Sequence, residues 1–119
     1  MTNLGELHGT LMLFGGPYSN LQATQALRAE AERRCIPPAN VICTGDVVAY
    51  CAQPNETIAE LRDWGIPVVM GNCEESIGAG AGDCGCGFQP GTACDLLSAT
   101  WYNFTLGVVE SDHQQWMRA

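Results

Sequence analysis

Three short apolar runs, each closed by a tight polar turn and separated by helical patterns, constrain this chain more than any other feature. "TLMLF" (10–14) ends at Gly15-Gly16-Pro17, "VICT" (41–44) at Gly45-Asp46, and "PVVM" (67–70) at Gly71-Asn72-Cys73-Glu74. Runs this short, bounded by Gly and Pro, read as buried strands. Between the first two, "LQATQALRAEAERR" (21–34) is rich in helix formers, with Ser19 or Asn20 placed to cap it and Pro37-Pro38 to stop it. Between the second and third, Pro54 suits a first helical turn, Ile58, Leu61 and Trp64 fall on one face, and Gly65 supplies the stop. "VVAY" (47–50) reads as a short continuation of the second strand. Strand, helix, strand, helix, strand with short links predicts right-handed crossovers and parallel strands, an α/β fold.

After Glu75 the pattern changes. Residues 76–95 form a Gly/Cys-rich stretch, with six glycines within 78–91, and read as a loop. "TACDLLSATWYNFTLG" (92–107) is helical in pattern, and Ser111 with Gln114 forms a capping box for the final "DHQQWMRA". Trp116 and Met117 in that last helix need a surface to pack on. The expectation is one domain over 1–119, and an incomplete one, with self-association or a missing C-terminal half as its partner.

Charge narrows the function. The chain carries five Arg, no Lys and a formal net charge of −8. Nucleic-acid and anionic-membrane binding need clustered cations, so neither is expected. A P-loop needs Gly-Lys-Ser/Thr and is excluded. A small phosphorylated molecule stays within reach, because a bound metal ion supplies local positive charge. The N-terminus lacks a basic n-region, and no segment approaches the roughly 20 apolar residues of a membrane span. Seven Cys, an odd number without secretory context, point to a reducing cytoplasm.

In open parallel sheets ligands collect at the carboxyl ends of the strands, and all three polar turns fall there. Taken together, "TGDVVAY" and "VVMGNCEE" on either side of the 54–64 helix resemble the small bacterial branch of the calcineurin-like metallophosphoesterases. That family runs strand–Asp-x-His-Gly-Asn, then Gly-Asp, then Gly-Asn-His-Asp/Glu, followed by two later His segments. The match covers about residues 10–75.

The resemblance implies a layered αββα sandwich, of which this chain is an N-terminal portion. It also implies hydrolysis of phosphate esters at a two-metal site holding Mn, Fe, Ni or Zn, where a metal-activated water attacks phosphorus. Carried over by position, Asp46 is the bridging ligand and Asn72 a ligand of the second metal. Cys73 stands where the family has a histidine serving the leaving group or transition state, and Glu74 keeps the acidic position after it. The departures are equally specific. "GGPYSN" puts Gly16 at the aspartate and Tyr18 at the histidine of the first motif, and the later His segments are missing, since the chain has only His8 and His113.

Two other readings stand beside this one. Gly15, Gly16, Ser19 and Asn20 are an anion-binding candidate, because amides opening a helix can point at phosphate; the plain alternative is a tight turn with a cap. Cys73, Cys84, Cys86 and Cys94 lie within 22 residues and form a candidate thiolate site for Zn or Fe, although their spacing is not that of a standard finger. A non-catalytic phosphate- or metal-binding module is therefore the alternative to hydrolysis. Cys35, Cys43 and Cys51 read as small buried side chains. His113, in a terminal helix, reads as solvated. Gly80-Ala81-Gly82-Asp83-Cys84-Gly85 matches G-x-G-x-x-G but opens no strand–helix unit, which excludes a dinucleotide site.

Overall fold

The computed structural model describes residues 1–85 and 87–119. Strand β1 (Met12–Phe14) pairs in parallel with β2 (Val41–Cys43), placing Met12 opposite Val41, Leu13 opposite Ile42 and Phe14 opposite Cys43. Helix α1 (Leu21–Arg33) makes the crossover, followed by a 3-10 turn at Pro38–Asn40. Helix α2 (Pro54–Trp64) follows β2, and α3 (Asn72–Ala79), α4 (Ala93–Val108) and α5 (Ser111–Arg118) complete the order.

The caps explain where the first two helices begin and end. Asn20 Oδ1 accepts from Ala23 N–H at 3.0 Å at the start of α1. Pro54 opens α2, where its missing N–H costs nothing, and Gly65 closes it in the left-handed region at φ 74°. The two helices run together, and Arg28 of α1 joins Glu60 at 3.1 Å and Asp63 at 2.8 Å on α2. The core gathers Ala31, Val41, Cys43, Ile58, Leu61 and Trp64, with Met12 and Phe14 packed on it. Phe14 stacks on Trp64 with ring centroids 5.9 Å apart.

Several expectations are corrected. The 67–70 run contributes a single parallel bridge, Cys43 to Val68, rather than a strand. Cys43 N–H donates to Pro67 O at 3.0 Å and Val69 N–H to Cys43 O at 2.8 Å, after which Gly71 begins α3. Residues 47–50 do not extend β2, because Ala49 (φ 79°) and Tyr50 (φ 64°) leave extended backbone altogether. The 76–95 stretch is helical at both ends, in α3 to Ala79 and in α4 from Ala93. Ser111 is the first residue of α5 rather than its cap, which is Glu110.

Trp116 and Met117 find their surface within the chain. Helix α5 packs on α3, with Met117 only 3% exposed against Gly78. Gln114 Nε2 donates to Ile77 O at 3.0 Å, and Arg118 bonds the Gly78 carbonyl. Asn55 ties the start of α2 to the α4–α5 turn, donating to Val108 O at 2.8 Å and accepting from Glu110 N–H at 2.9 Å. His113 is buried rather than solvated, with Nδ1 3.1 Å from Arg62 Nη1. The opposite face of the sheet has no such cover: Leu13 is 63% and Val69 54% exposed. Among the described residues there is one sheet of two parallel strands in a mixed α/β arrangement with five α-helices, rather than the expected layered sandwich. No described helix is long and apolar enough to cross a membrane.

Candidate functional site

The three polar turns meet as their positions predict, but through the backbone. In the loop after β1, Gly16 N–H donates to Gly45 O at 3.0 Å, Tyr18 N–H to Asp46 O at 3.1 Å and Ser19 N–H to Val47 O at 2.8 Å. Asn20 N–H turns back to Pro17 O at 2.9 Å, and its side chain caps α1. The amides of Gly16, Ser19 and Asn20 are thus engaged with carbonyls of the chain, so none of these three is turned toward a bound anion. A cleft of about 330 Å³ opens beside this loop, with Tyr18, Asn20 and Leu27 on its walls.

The backbone here is unusually constrained. Tyr18 (φ 48°), Ser19 (φ 59°), Asp46 (φ 56°), Ala49 and Tyr50 all occupy the left-handed region. Each such non-glycine residue costs on the order of 1–3 kcal/mol and persists only where surrounding contacts over-determine it. Such strain gathers at functional sites, and here it gathers at the two loops that the sequence pattern singled out.

Glu74 is 2% exposed. Its Oε1 accepts from Val47 N–H at 2.7 Å and Val48 N–H at 3.0 Å, and its Oε2 from Asp46 N–H and Gly71 N–H, each at 2.9 Å. Burial pushes its carboxyl pKa up, and the four N–H donors oppose that shift. A carboxyl group so engaged ties residues 46–48 to the start of α3. Asp46 differs: its Oδ1 is buried and has no hydrogen-bond partner among the described residues. That oxygen lies over Gly71, where a Cβ would fall on it and would also come within 2.7 Å of Glu74 Oε2. Only glycine at 71 leaves room for both carboxylates.

Tyr18 and Tyr50 flank Asp46 in an edge-to-face pair with centroids 5.0 Å apart. Burial raises the Tyr18 phenol pKa, with the Asp46 charge next; burial raises that of Tyr50, with Cys73 and Asp46 behind it. Cys73, 2% exposed, has its thiol pushed up to about 12 by burial and then by the Glu74 charge. Asn72 opens α3, and its Nδ2 donates to Cys84 O at 2.8 Å and toward Cys73 Sγ at 3.8 Å. Tyr50 went unnoticed in the sequence, where nothing marks a tyrosine four residues past Asp46 as its neighbour.

The cysteine quartet is not assembled among the described residues. Cys86 lies outside them, Cys73 is buried, Cys94 is exposed, and Cys84 is disulfide-bonded. No group of three or more His, Cys, Asp or Glu among the described residues is placed to hold a metal ion.

No family model matches the sequence, and no curated protein matches it. A solved structure does: the metallophosphoesterase from Sphaerobacter thermophilus superposes with a TM-score of 0.64 at 18% identity, over 92% of this chain and 42% of that one. At that identity the likeness speaks for the backbone, and the chain spans well under half of the other structure. The mixed α/β arrangement is therefore similar to part of that metallophosphoesterase structure; within this chain Asp46 follows β2 and Asn72 follows the 67–70 bridge.

Proposed function

We propose that this chain is a phosphoesterase-fold domain that binds a small phosphorylated molecule through one divalent cation held at Asp46, without hydrolysing it. The carrying observation is the buried Asp46 Oδ1, which has no partner among the described residues. A buried carboxylate oxygen left unpaired is costly, and a cation is the partner that removes the cost. Hard divalent cations are commonly bound by one or two carboxylates, with waters and ligand phosphate completing the shell. Asp46 supplies the carboxylate of that description; a bound cation would supply the positive charge that phosphate needs.

The donors do not fit a two-metal centre. Gly16 and Tyr18 occupy the places of the Asp and His of the first motif, Glu74 is filled by main-chain donors, and the described residues offer no group of three ligands. No hydrolytic step is derived through such a centre. Catalytic acids and bases work with pKa values near the operating pH, and three groups of the site are shifted away from it. Cys73 is held at about 12, and Tyr18 and Tyr50 are raised above their ordinary value.

The test is metal content per chain by elemental mass spectrometry, with and without inorganic phosphate, for wild type and Asp46→Asn. The expected result is Mn, Fe, Ni or Zn retained by wild type, more with phosphate, and lost in the variant, with no turnover of p-nitrophenyl phosphate. Metal in neither protein would overturn the proposal. Turnover that disappears in Asp46→Asn would replace it with hydrolysis, the ligands then coming from outside this chain.

A further inference from the structure

Consecutive peptide planes in the Asp46 turn are pinned at both edges. In the first plane Gly45 O accepts from Gly16 N–H while Asp46 N–H donates to Glu74. In the second, Asp46 O accepts from Tyr18 N–H and Val47 N–H donates to Glu74; in the third, Val47 O accepts from Ser19 N–H and Val48 N–H donates to Glu74. Three successive amides converging on one anion form the kind of concavity that in other proteins receives phosphate or a cluster. Here it is filled from within.

We infer that Glu74 is a positioning residue, an internal carboxylate that occupies the amide concavity of residues 46–48 and locks Asp46 in its left-handed conformation over Gly71. Fixing three successive planes fixes both dihedrals of Asp46 and of Val47, which is the over-determination that a φ of 56° at a non-glycine residue requires. The fourth bond, from Gly71 N–H, ties the start of α3 to the same carboxylate and so couples the Asn72 turn to the Asp46 turn. Glu75, also in the first turn of α3, is exposed and shares only the favourable helix-end electrostatics. The consequence for ligands is specific: these amides are not available to an incoming phosphate, which would instead be met through the cation held at Asp46.

Glu74→Gln tests the inference, because it keeps the side-chain volume but turns an amide N–H₂ toward N–H donors. Glu75→Gln is the control for helix-end charge. Amide hydrogen exchange is read across each protein by NMR, together with Mn²⁺ titration in the presence of inorganic phosphate. The expected result in Glu74→Gln is at least a tenfold loss of protection confined to Asp46, Val47, Val48 and Gly71, with α1 and α2 unchanged. Mn²⁺ affinity is expected to fall about 10–100-fold, as when the partners that orient a metal ligand are removed; Glu75→Gln should show neither change. Unchanged protection at 46–48, or loss spread evenly over α1 and α2, would overturn the inference.

Should Glu74→Gln fail to fold, wild type still decides. Scalar couplings across the hydrogen bonds from the amides of 46–48 to the Glu74 carboxyl carbon are expected, and their absence would overturn it. The Mn²⁺ reading rests on Asp46 as a cation ligand, whereas the exchange and coupling readings do not. Wild type that binds no Mn²⁺ but shows the couplings would therefore remove the proposed function and leave the positioning role standing.

Discussion

At the scale of single residues, neighbouring side chains on the same turns have opposite fates. Asp46 and Glu74 are both carboxylates beside glycine turns, yet one presents an unpartnered oxygen and the other is filled by four amides. Asp46 was legible because Gly-Asp after an apolar run is a recognisable turn. The role of Glu74 was not, because it depends on amides 26–28 positions earlier in the chain and on burial that no local pattern reports. Cys73 carries a prediction at this scale. Its folded pKa, about 12, lies above the ordinary 9.0, so the native state keeps the proton that the unfolded chain releases. That stabilising contribution is complete below the ordinary thiol pKa and is lost as pH rises toward 12. Urea midpoints should fall between pH 8 and pH 11. Cys43, raised to about 11, adds to the slope with the same sign. Cys73→Ala should flatten the slope whatever its effect on the level at pH 7; an unchanged slope would contradict the burial assigned to this thiol.

At the scale of elements, the reading succeeded where a helix carried its own punctuation. Helix α2 has Pro54 at one end and left-handed Gly65 at the other, and α1 has Asn20 and the prolines beyond it. Gly65 makes the point testable: nothing lies within 4 Å of a Cβ placed there, so Gly65→Ala meets only the left-handed conformational penalty. The expected loss is about 1 kcal/mol, read from chemical denaturation. A loss several times larger would mean that the helix end is held by packing instead. Helix α3 escaped notice because "NCEESIGA" is only two turns long, with too few apolar positions to show a period. The 67–70 run misled in the other direction. It has the composition of a strand, but among the described residues it pairs only with β2, and Gly71 caps a helix before the ladder can extend.

At the scale of the whole molecule, one face of the sheet is buried under α1 and α2 while Leu11, Leu13 and Val69 remain exposed at 46%, 63% and 54%. Replacing Leu13 and Val69 with Lys should change stability by no more than about 0.5 kcal/mol each, the range of surface substitutions. The same double variant should bind less of a hydrophobic dye such as ANS. A loss of several kcal/mol would show that this face is packed in solution, by the chain itself or by a second copy.

Sequence alone determined the crossover order, the extents of α1 and α2, and the presence of Asp46 and Asn72 on turns at the strand ends. Those features rest on local chemistry: apolar runs, capping side chains, and glycine and proline at positions with a required φ. The tertiary structure decided that 67–70 is a bridge, that Met117 packs on α3, that the Gly16, Tyr18 and Ser19 amides bond the neighbouring turn, and that Glu74 lies beneath Asp46. Each of these depends on which polar groups are buried together and which partner reaches them first. Pairings between residues 26–40 positions apart leave no trace in either stretch read separately.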